Sequence, residues 1–322
     1  MRYINNQFIY LLFGFAIVLS LAGCTQTTEV YKVDADRTLI PEGIAYDSRE
    51  DIFYLSSIYH DKIIAYDPET GKTRDLISSG QFGYKHGIGM EIKDGLLFAL
   101  SSAKTREGSN STLIVYDLDE DKFLRSYTLN DTIDHFMNDL AISNDLKIYI
   151  TDTDRHLVYQ LEYPDGEIIE YLSDPTLQYP NGIAISDDSQ FLYVDSWTDG
   201  IRVVDLEKNE VINRSYAGTS LKVAVDGLKY YKGALYGIRN DDRDKSLHGL
   251  LKIGLAKDKS LIDTIMPLLI DHPVMDIPTT LSVANGTAYV LANSQLDRLD
   301  QENHTIRHMD SLTPTYIIKH KL

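Results

Sequence analysis

Six segments of the chain open alike, with a polar residue at the head of an apolar run. The heads are Glu42 in EGIAYDSREDIFYLSS, His86 in HGIGMEIKDGLLFALSS, Asn138 in NDLAISNDLKIYITDT, Asn181 in NGIAISDDSQFLYVDSW, Asp226 in DGLKYYKGALYGIRN and Thr279/Thr280 at TLSVANGTAYVLANS. A single Asn-Gly, Asp-Gly or Glu-Gly is an ordinary turn dipeptide. Six in phase, at intervals of roughly 43 to 54 residues, form a repeat, and a repeat gathers equivalent positions. Glu42, Asn138, Asn181 and Asp226 would together supply four oxygen ligands and two negative charges. That set suits a hard divalent cation that keeps one or more waters. Calcium is the first choice, because a wide ring of mixed amides and carboxylates suits a large ion whereas magnesium wants a tighter octahedron; another divalent cation is the alternative. An ion so held polarises a carbonyl and stabilises the oxyanion that develops on it. The attacking water then needs a base, for which His86, with an ordinary pKa near ~6.5, and Asp226 are the candidates.

The elements that must carry these heads are strands. Each copy runs on through a strand, a polar turn and a second strand bearing Tyr or Phe, and AYDPETGK (65–72), VYDLDEDK (115–122), LEYPDGE (161–167) and VDLEKNE (204–210) add further turns downstream. About four strands per unit of ~40–50 residues, repeated six times, predict an all-β six-bladed β-propeller with four-stranded blades. TEVYKVDA (28–35) and PTYIIKHK (314–321) lie outside the six copies, and they are predicted to share a sheet that closes the ring and removes its exposed edges. No stretch after residue 24 keeps helical periodicity for three turns. By repeat position Ser57, Ser102, Asp152, Asp195, Trp197, Arg239 and Asn240 fall at or near the channel mouth. Arg239 is a candidate to orient a polar or anionic substrate, Trp197 to wall the pocket, and His135, three residues before Asn138, to touch substrate. His60 reads as a surface-loop histidine. Asp117-Leu-Asp119-Glu-Asp121 mimics the start of an EF-hand loop, but Lys122 stands where the glycine is needed, so it reads as a blade turn.

Composition narrows the function classes. A formal net charge of −17 and a pI of about 4.8 oppose binding to nucleic-acid phosphates. Residues 1–23 have a short, weakly basic start and an apolar run from about Phe8 to Ala22, the pattern of a secretory signal. Leu21-Ala22-Gly23-Cys24 resembles the lipobox of bacterial lipoproteins, which makes Cys24, the single cysteine, the expected lipidation site. Cleavage there would remove Arg2 and leave the chain one unit more acidic. Acyl chains on Cys24 would hold the protein at a membrane without a spanning helix, at a periplasmic or outer-membrane surface of the cell envelope. The expected organisation is thus a signal peptide at 1–23, a tether with the first closing strand at 24–37, and the propeller at 38–322, acting as a monomer.

The heads and their spacing resemble the six-bladed calcium-dependent propellers of the gluconolactonase/regucalcin (SMP-30-like) superfamily, which includes paraoxonase-like lactonases. The resemblance runs from about residue 38 to 320. It implies a metal shell from a Glu-Gly in the first blade, Asn in two middle blades and an Asp in the next, here Glu42, Asn138, Asn181 and Asp226, and it assigns the base to Asp226. KHGIGM around His86 further resembles the His-Gly-Ile of paraoxonases, whose histidine stands above the calcium. The second histidine of that dyad has no counterpart in LLFALSSAKTRE (96–107), so hydrolysis would rest on His86, Asp226 or the metal. The expected activity is a calcium-dependent hydrolysis of a small-molecule lactone or related ester. The alternative is a non-catalytic envelope propeller with a structural calcium that binds a sugar, peptide or protein partner.

Overall fold

The computed structural model describes residues 28–105, 108–129, 133–213, 221–240, 244–301 and 303–322. Cys24 and the signal segment lie outside the described residues. The repeat folds as six four-stranded antiparallel blades, each a simple meander in five cases and closed by both chain ends in the sixth. The innermost strands are Pro41–Asp47, Gly87–Lys93, Met137–Ile142, Pro180–Ile185, Leu228–Tyr231 and Leu281–Ala284. Each touches the next around a closed ring. In blade six the N-terminal strand Glu29–Val33 pairs along its length with the C-terminal strand Thr315–Lys321. The two ends therefore meet in one sheet, as their alternating patterns predict, and no helix beyond short 3-10 turns occurs among the described residues.

A blade has two faces, and each must be buried against a neighbour. Six apolar clusters do this, one between each pair of adjacent blades. The cluster between blades one and six stacks Phe53 edge-on to Tyr289 with ring centroids 5.1 Å apart. This explains the tyrosine-rich second strands, since large planar side chains fill the space between twisted sheets. The turns between third and fourth strands are built by one device. Asp67, Asp117 and Asp205 each accept two main-chain N–H bonds from residues two and three further on. Asp117 is thus a turn residue, and its EF-hand-like surroundings need no ion.

Buried hydroxyls tie blade to blade near the axis. Ser56 accepts from Gly43 N–H and donates to Ile88 O at 2.9 Å. Thr151 accepts from Asp139 N–H and donates to Asn181 O at 2.7 Å. Thr279 donates to Glu42 O at 2.9 Å, linking the last blade to the first. The innermost strands also bulge at their starts, where the register breaks between Pro41 and Ile44, Gly87 and Met90, Met137 and Leu140, and Pro180 and Ile183. A bulge turns the two intervening residues out of the ladder and aims them at the axis.

One segment leaves the blade plan. Between the second and third strands of blade six, the chain makes a small hairpin, Leu299–Asp300 with Thr305–Ile306, flanked by 3-10 turns. Its Leu299, Leu296 and Ile306 pack with Leu312 on Ile40, Ile58 and Ile88, forming a seventh apolar cluster over blades one and two.

Candidate functional site

The bulge register sets which residues reach the axis. Glu42, Asn138 and Asn181 occupy the first turned-out position in blades one, three and four, and Ile88 occupies it in blade two. His86 lies two residues earlier, so the blade-two head is apolar and the polar ring is interrupted there. The sequence reading put His86 in phase because KHGIGM holds two X-Gly steps, His86-Gly87 and Ile88-Gly89, and only the register chooses between them.

Glu42, Asn138, Asn181 and Asp226 line one small cavity together with Gly89, Asp139, Gly227 and Thr280. Its volume, about 10 Å³, is that of a single water-sized body. Glycines make the approach possible. A Cβ on Gly89 would stand 2.6 Å from Asn138 O, and Cβ atoms on Gly43, Gly182 and Gly227 would collide with Ile88 O, Asp226 O and Thr280 of the following blades. None of these four has the positive φ that demands glycine. Gly182, like the other three, is required for space and not for backbone freedom.

Hydrogen bonds orient two of these four side chains. Thr153 spends its hydroxyl proton on Pro180 O at 2.7 Å, so it can only accept from Asn138 Nδ2, 3.0 Å away. The amide nitrogen is thereby held to the blade, and Asn138 Oδ1 is the end that remains for the axis. Asn240, at the end of the second strand of blade five, donates Nδ2–H to Asp226 Oδ2 at 2.6 Å and fixes that carboxylate. Substituting Thr153 by Val keeps its shape and removes the anchor; any divalent cation taken up between these oxygens is expected to bind about 10-fold or more weakly, as for loss of an outer-shell partner, measured by calorimetric titration.

The cavity is electrostatically incomplete. Burial pushes the Glu42 carboxyl well above the ordinary range, and Asp226 and Asp139 push it further. Beneath the ring, Lys229 lies 3.3 Å from Glu91 and 3.4 Å from Asp139. Burial works against the Lys229 ammonium, yet these two carboxylates outweigh it and raise its pKa. Burial raises the Glu91 and Asp139 carboxyls, and Lys229 opposes it in both. Among the described residues, Glu42, Asp226, Asp139 and Glu91 thus gather around the axis, the last two held by the Lys229 ammonium. Asp195 adds a fifth close by: burial raises it well above the usual range, with Asp226 adding to the rise and the Val225 N–H and Arg202 opposing it, and its Oδ2 has no hydrogen-bond partner while Oδ1 accepts from Val225 N–H. Asn240 Oδ1 is likewise buried without a partner. A crowd of buried oxygen acceptors of this kind fits a hard divalent cation.

The other expected site residues fall in different places. His86 does not line the cavity; its ring stacks on His304 at 4.7 Å and its Nε2 is 4.0 Å from Asp61. His135 is buried to 2% exposure, with Nδ1 on Asp152 Oδ2 at 2.8 Å and near Tyr159 Oη at 3.3 Å. The ring expected to touch substrate is thus clamped inside blade three, where it braces the segment leading to Asn138. Ser57 and Ser102 are also interior, bonded to Leu39 O and Met137 O. Trp197 is exposed (39%), and its main-chain N–H donates to the carbonyl of Tyr179, itself 50% exposed, so two surface aromatics adjoin the Asn181 strand. Arg239 is half-buried directly before Asn240. His60 is half-buried on Thr38 Oγ1 at 2.7 Å. Sequence reasoning missed Asp139, Glu91, Lys229 and Thr153. Asp139 carried a signal, since it stands where four other blades have glycine.

The SMP-30/Gluconolactonase/LRE-like region is matched, by its family model, over residues 40–230. The chain belongs to this family. All four converging heads lie inside the matched span. No curated protein sequence matches the chain. Among solved structures, it is similar to a gluconolactonase from Xanthomonas campestris, at TM-score 0.58 and 16% identity over 92% of this chain and 90% of that one. It is similar also to a luciferin-regenerating enzyme, at TM-score 0.61 and 13% identity over 92% and 96%. A virginiamycin B lyase from Staphylococcus aureus aligns at TM-score 0.56 and 13% identity over 92% and 99%. At these identities, what this family member shares with them is the propeller.

Proposed function

We propose that the protein is a calcium-dependent hydrolase of lactones or related small esters. The observation that carries this reading is the meeting of Glu42, Asn138, Asn181 and Asp226 in one cavity, where burial, Asp226 and Asp139 all push the Glu42 carboxyl up. These four residues would hold the ion. When bound, calcium supplies Lewis-acid polarisation of the scissile carbonyl.

The remaining chemistry belongs to side chains. Asp226, with Oδ2 fixed by Asn240, is the base we assign: it takes a proton from the attacking water as the new C–O bond forms. Opening of the ring then needs that proton on the leaving alkoxide oxygen, and Asp226 returns it. Lys229 holds Asp139 and Glu91 as an internal ion cluster below the ring, which keeps their charge from competing for the ion. Trp197 and Tyr179 offer an apolar wall at the mouth, and Arg239 a cation for a polar or anionic substrate. Together these favour a compact, polar lactone such as an aldonolactone. On the Leu21-Ala22-Gly23-Cys24 motif, we also assign the protein to the bacterial envelope, tethered through Cys24.

The test is a panel of aldonolactones, acyl-homoserine lactones and aryl esters, assayed with and without chelator on the soluble chain from residue 25. Turnover of at least one class, lost with chelator and restored by calcium, is the expected result. Absence of chelator-sensitive turnover across the panel, with calcium binding retained, would make the axial ion structural and the propeller a binding module.

A further inference from the structure

The axial cavity leaves unexplained a second group of ligating side chains at the mouth. Asp61, His86 and His304 come from three separate elements: the turn between the second and third strands of blade one, the residue before the inner strand of blade two, and the hairpin of the blade-six excursion. One ligand atom from each lies within 4.8 Å of the others. A tetrahedral site with bonds of 2.0–2.1 Å needs ligand atoms about 3.3 Å apart, so the three side chains would have to draw together by up to about 1.5 Å as an ion binds.

Two observations show that these groups are prepared. His304 Nε2 contacts Tyr59 O at 2.9 Å, and a carbonyl can only accept, so Nε2 carries the proton and Nδ1 carries the lone pair. That Nδ1 is buried and has no hydrogen-bond partner. A ligating imidazole is typically held in this way by a carbonyl on its other nitrogen. The His86 main-chain N–H donates to Asp61 Oδ1 at 2.7 Å, which ties the carboxylate to the histidine it would join. The two imidazole rings are stacked, parallel within 3°, with Tyr59 on the far face at 5.2 Å from His304; because an imidazole ligates in its own plane, the half-buried His86 ring must turn out of the stack for both nitrogens to meet one ion.

We propose that Asp61, His86 and His304 form a second metal site, for a borderline transition ion such as zinc, distinct from the calcium site on the axis. Two imidazole nitrogens and one carboxylate favour zinc over calcium, which prefers an all-oxygen shell. The bound ion joins the blade-six excursion to blades one and two, above the apolar cluster of Ile40, Ile58, Ile88 and Leu299. It therefore pins one sector of the mouth closed, and a fourth position stays open for water or substrate. The site does not depend on the hydrolase reading.

The test titrates zinc, by calorimetry, into chain from residue 25 already saturated with calcium. One equivalent is expected to bind the parent chain, with affinity at least about 10-fold weaker in His86→Ala and in His304→Ala and unchanged in Glu42→Gln. Cobalt substituted for zinc is expected to give the intense visible absorption of a four-coordinate ion, lost in both histidine variants. Thermal melting confirms that each variant is folded; should His304→Ala not fold, His304→Gln and Asp61→Asn take its place. No zinc uptake by the calcium-saturated parent chain would overturn the proposal, and so would zinc binding that survives the histidine substitutions but is lost in Glu42→Gln.

Discussion

Asp226→Asn is expected to lower kcat/KM for any accepted lactone by about 100-fold or more and to weaken calcium binding in the same protein. The change is isosteric, so the cavity keeps its shape. What it removes is one of the negative charges that attract the ion and the group assigned to take the proton; loss of a general base alone is worth about 10²–10⁴. The two losses can be separated. At calcium concentrations that resaturate the variant, the binding deficit disappears and the deficit in kcat persists. In contrast, Asn181→Ala removes an oxygen ligand and no base, so its activity is expected to return as calcium rises. Thermal melting gives a parallel readout. Calcium at about 100 times its Kd stabilises a protein that binds it only when folded by about 2.7 kcal/mol, a shift of several degrees, and Asp226→Asn is expected to lose most of that shift.

The second large effect comes from a single methyl group. Gly182→Ala would place Cβ 2.8 Å from Leu228 N and 2.9 Å from Leu228 Cβ, and closer still to Asp226 O. These are main-chain atoms and a buried core side chain of the next blade, so no flexible side chain can swing aside. Blades four and five would have to separate, moving Asn181 and Asp226 apart together. Destabilisation of about 3 kcal/mol or more is expected, with loss of calcium binding in whatever folds, measured by denaturant unfolding and calcium titration. Gly233→Ala is the control. Gly233 has φ of 79° with nothing within 4 Å, so only the left-handed backbone cost of about 1 kcal/mol applies and calcium binding stays intact.

The sequence announced the architecture because a propeller writes its plan in periodic form. Each copy carries its head, alternating strand and turn, and the closing strands at 28–35 and 314–321 were recognisable as alternating runs left over from six copies. The oxygen set on the axis was legible for the same reason, since equivalent positions in successive blades share a height. What periodicity could not give was phase at a bulge. In blade two the bulge admits Ile88 to the ring and leaves His86 outside it, a difference of two residues that no pattern of apolar and polar positions resolves. The Lys229–Glu91–Asp139 cluster was harder to read: Lys229 and Glu91 hold equivalent positions, each three residues after its blade's head, but Glu91 falls into step with Lys229 only once Ile88 rather than His86 is counted as the blade-two head, and Asp139 joins them from a different point of the repeat. His135 misled for a related reason: nearness in sequence to Asn138 said nothing of which way its ring would turn, and Asp152 turned it inward. His304 belongs to an excursion outside the repeat, so nothing in the repeat pointed to it.

The most direct test of the central claim is a crystal structure of the chain from residue 25 grown with millimolar calcium. One ion is expected on the axis, with oxygens of Glu42, Asn138, Asn181 and Asp226 at about 2.3–2.6 Å. Electron density with no ion between these four residues, or an ion bound elsewhere while they keep their own hydrogen bonds, would contradict the account.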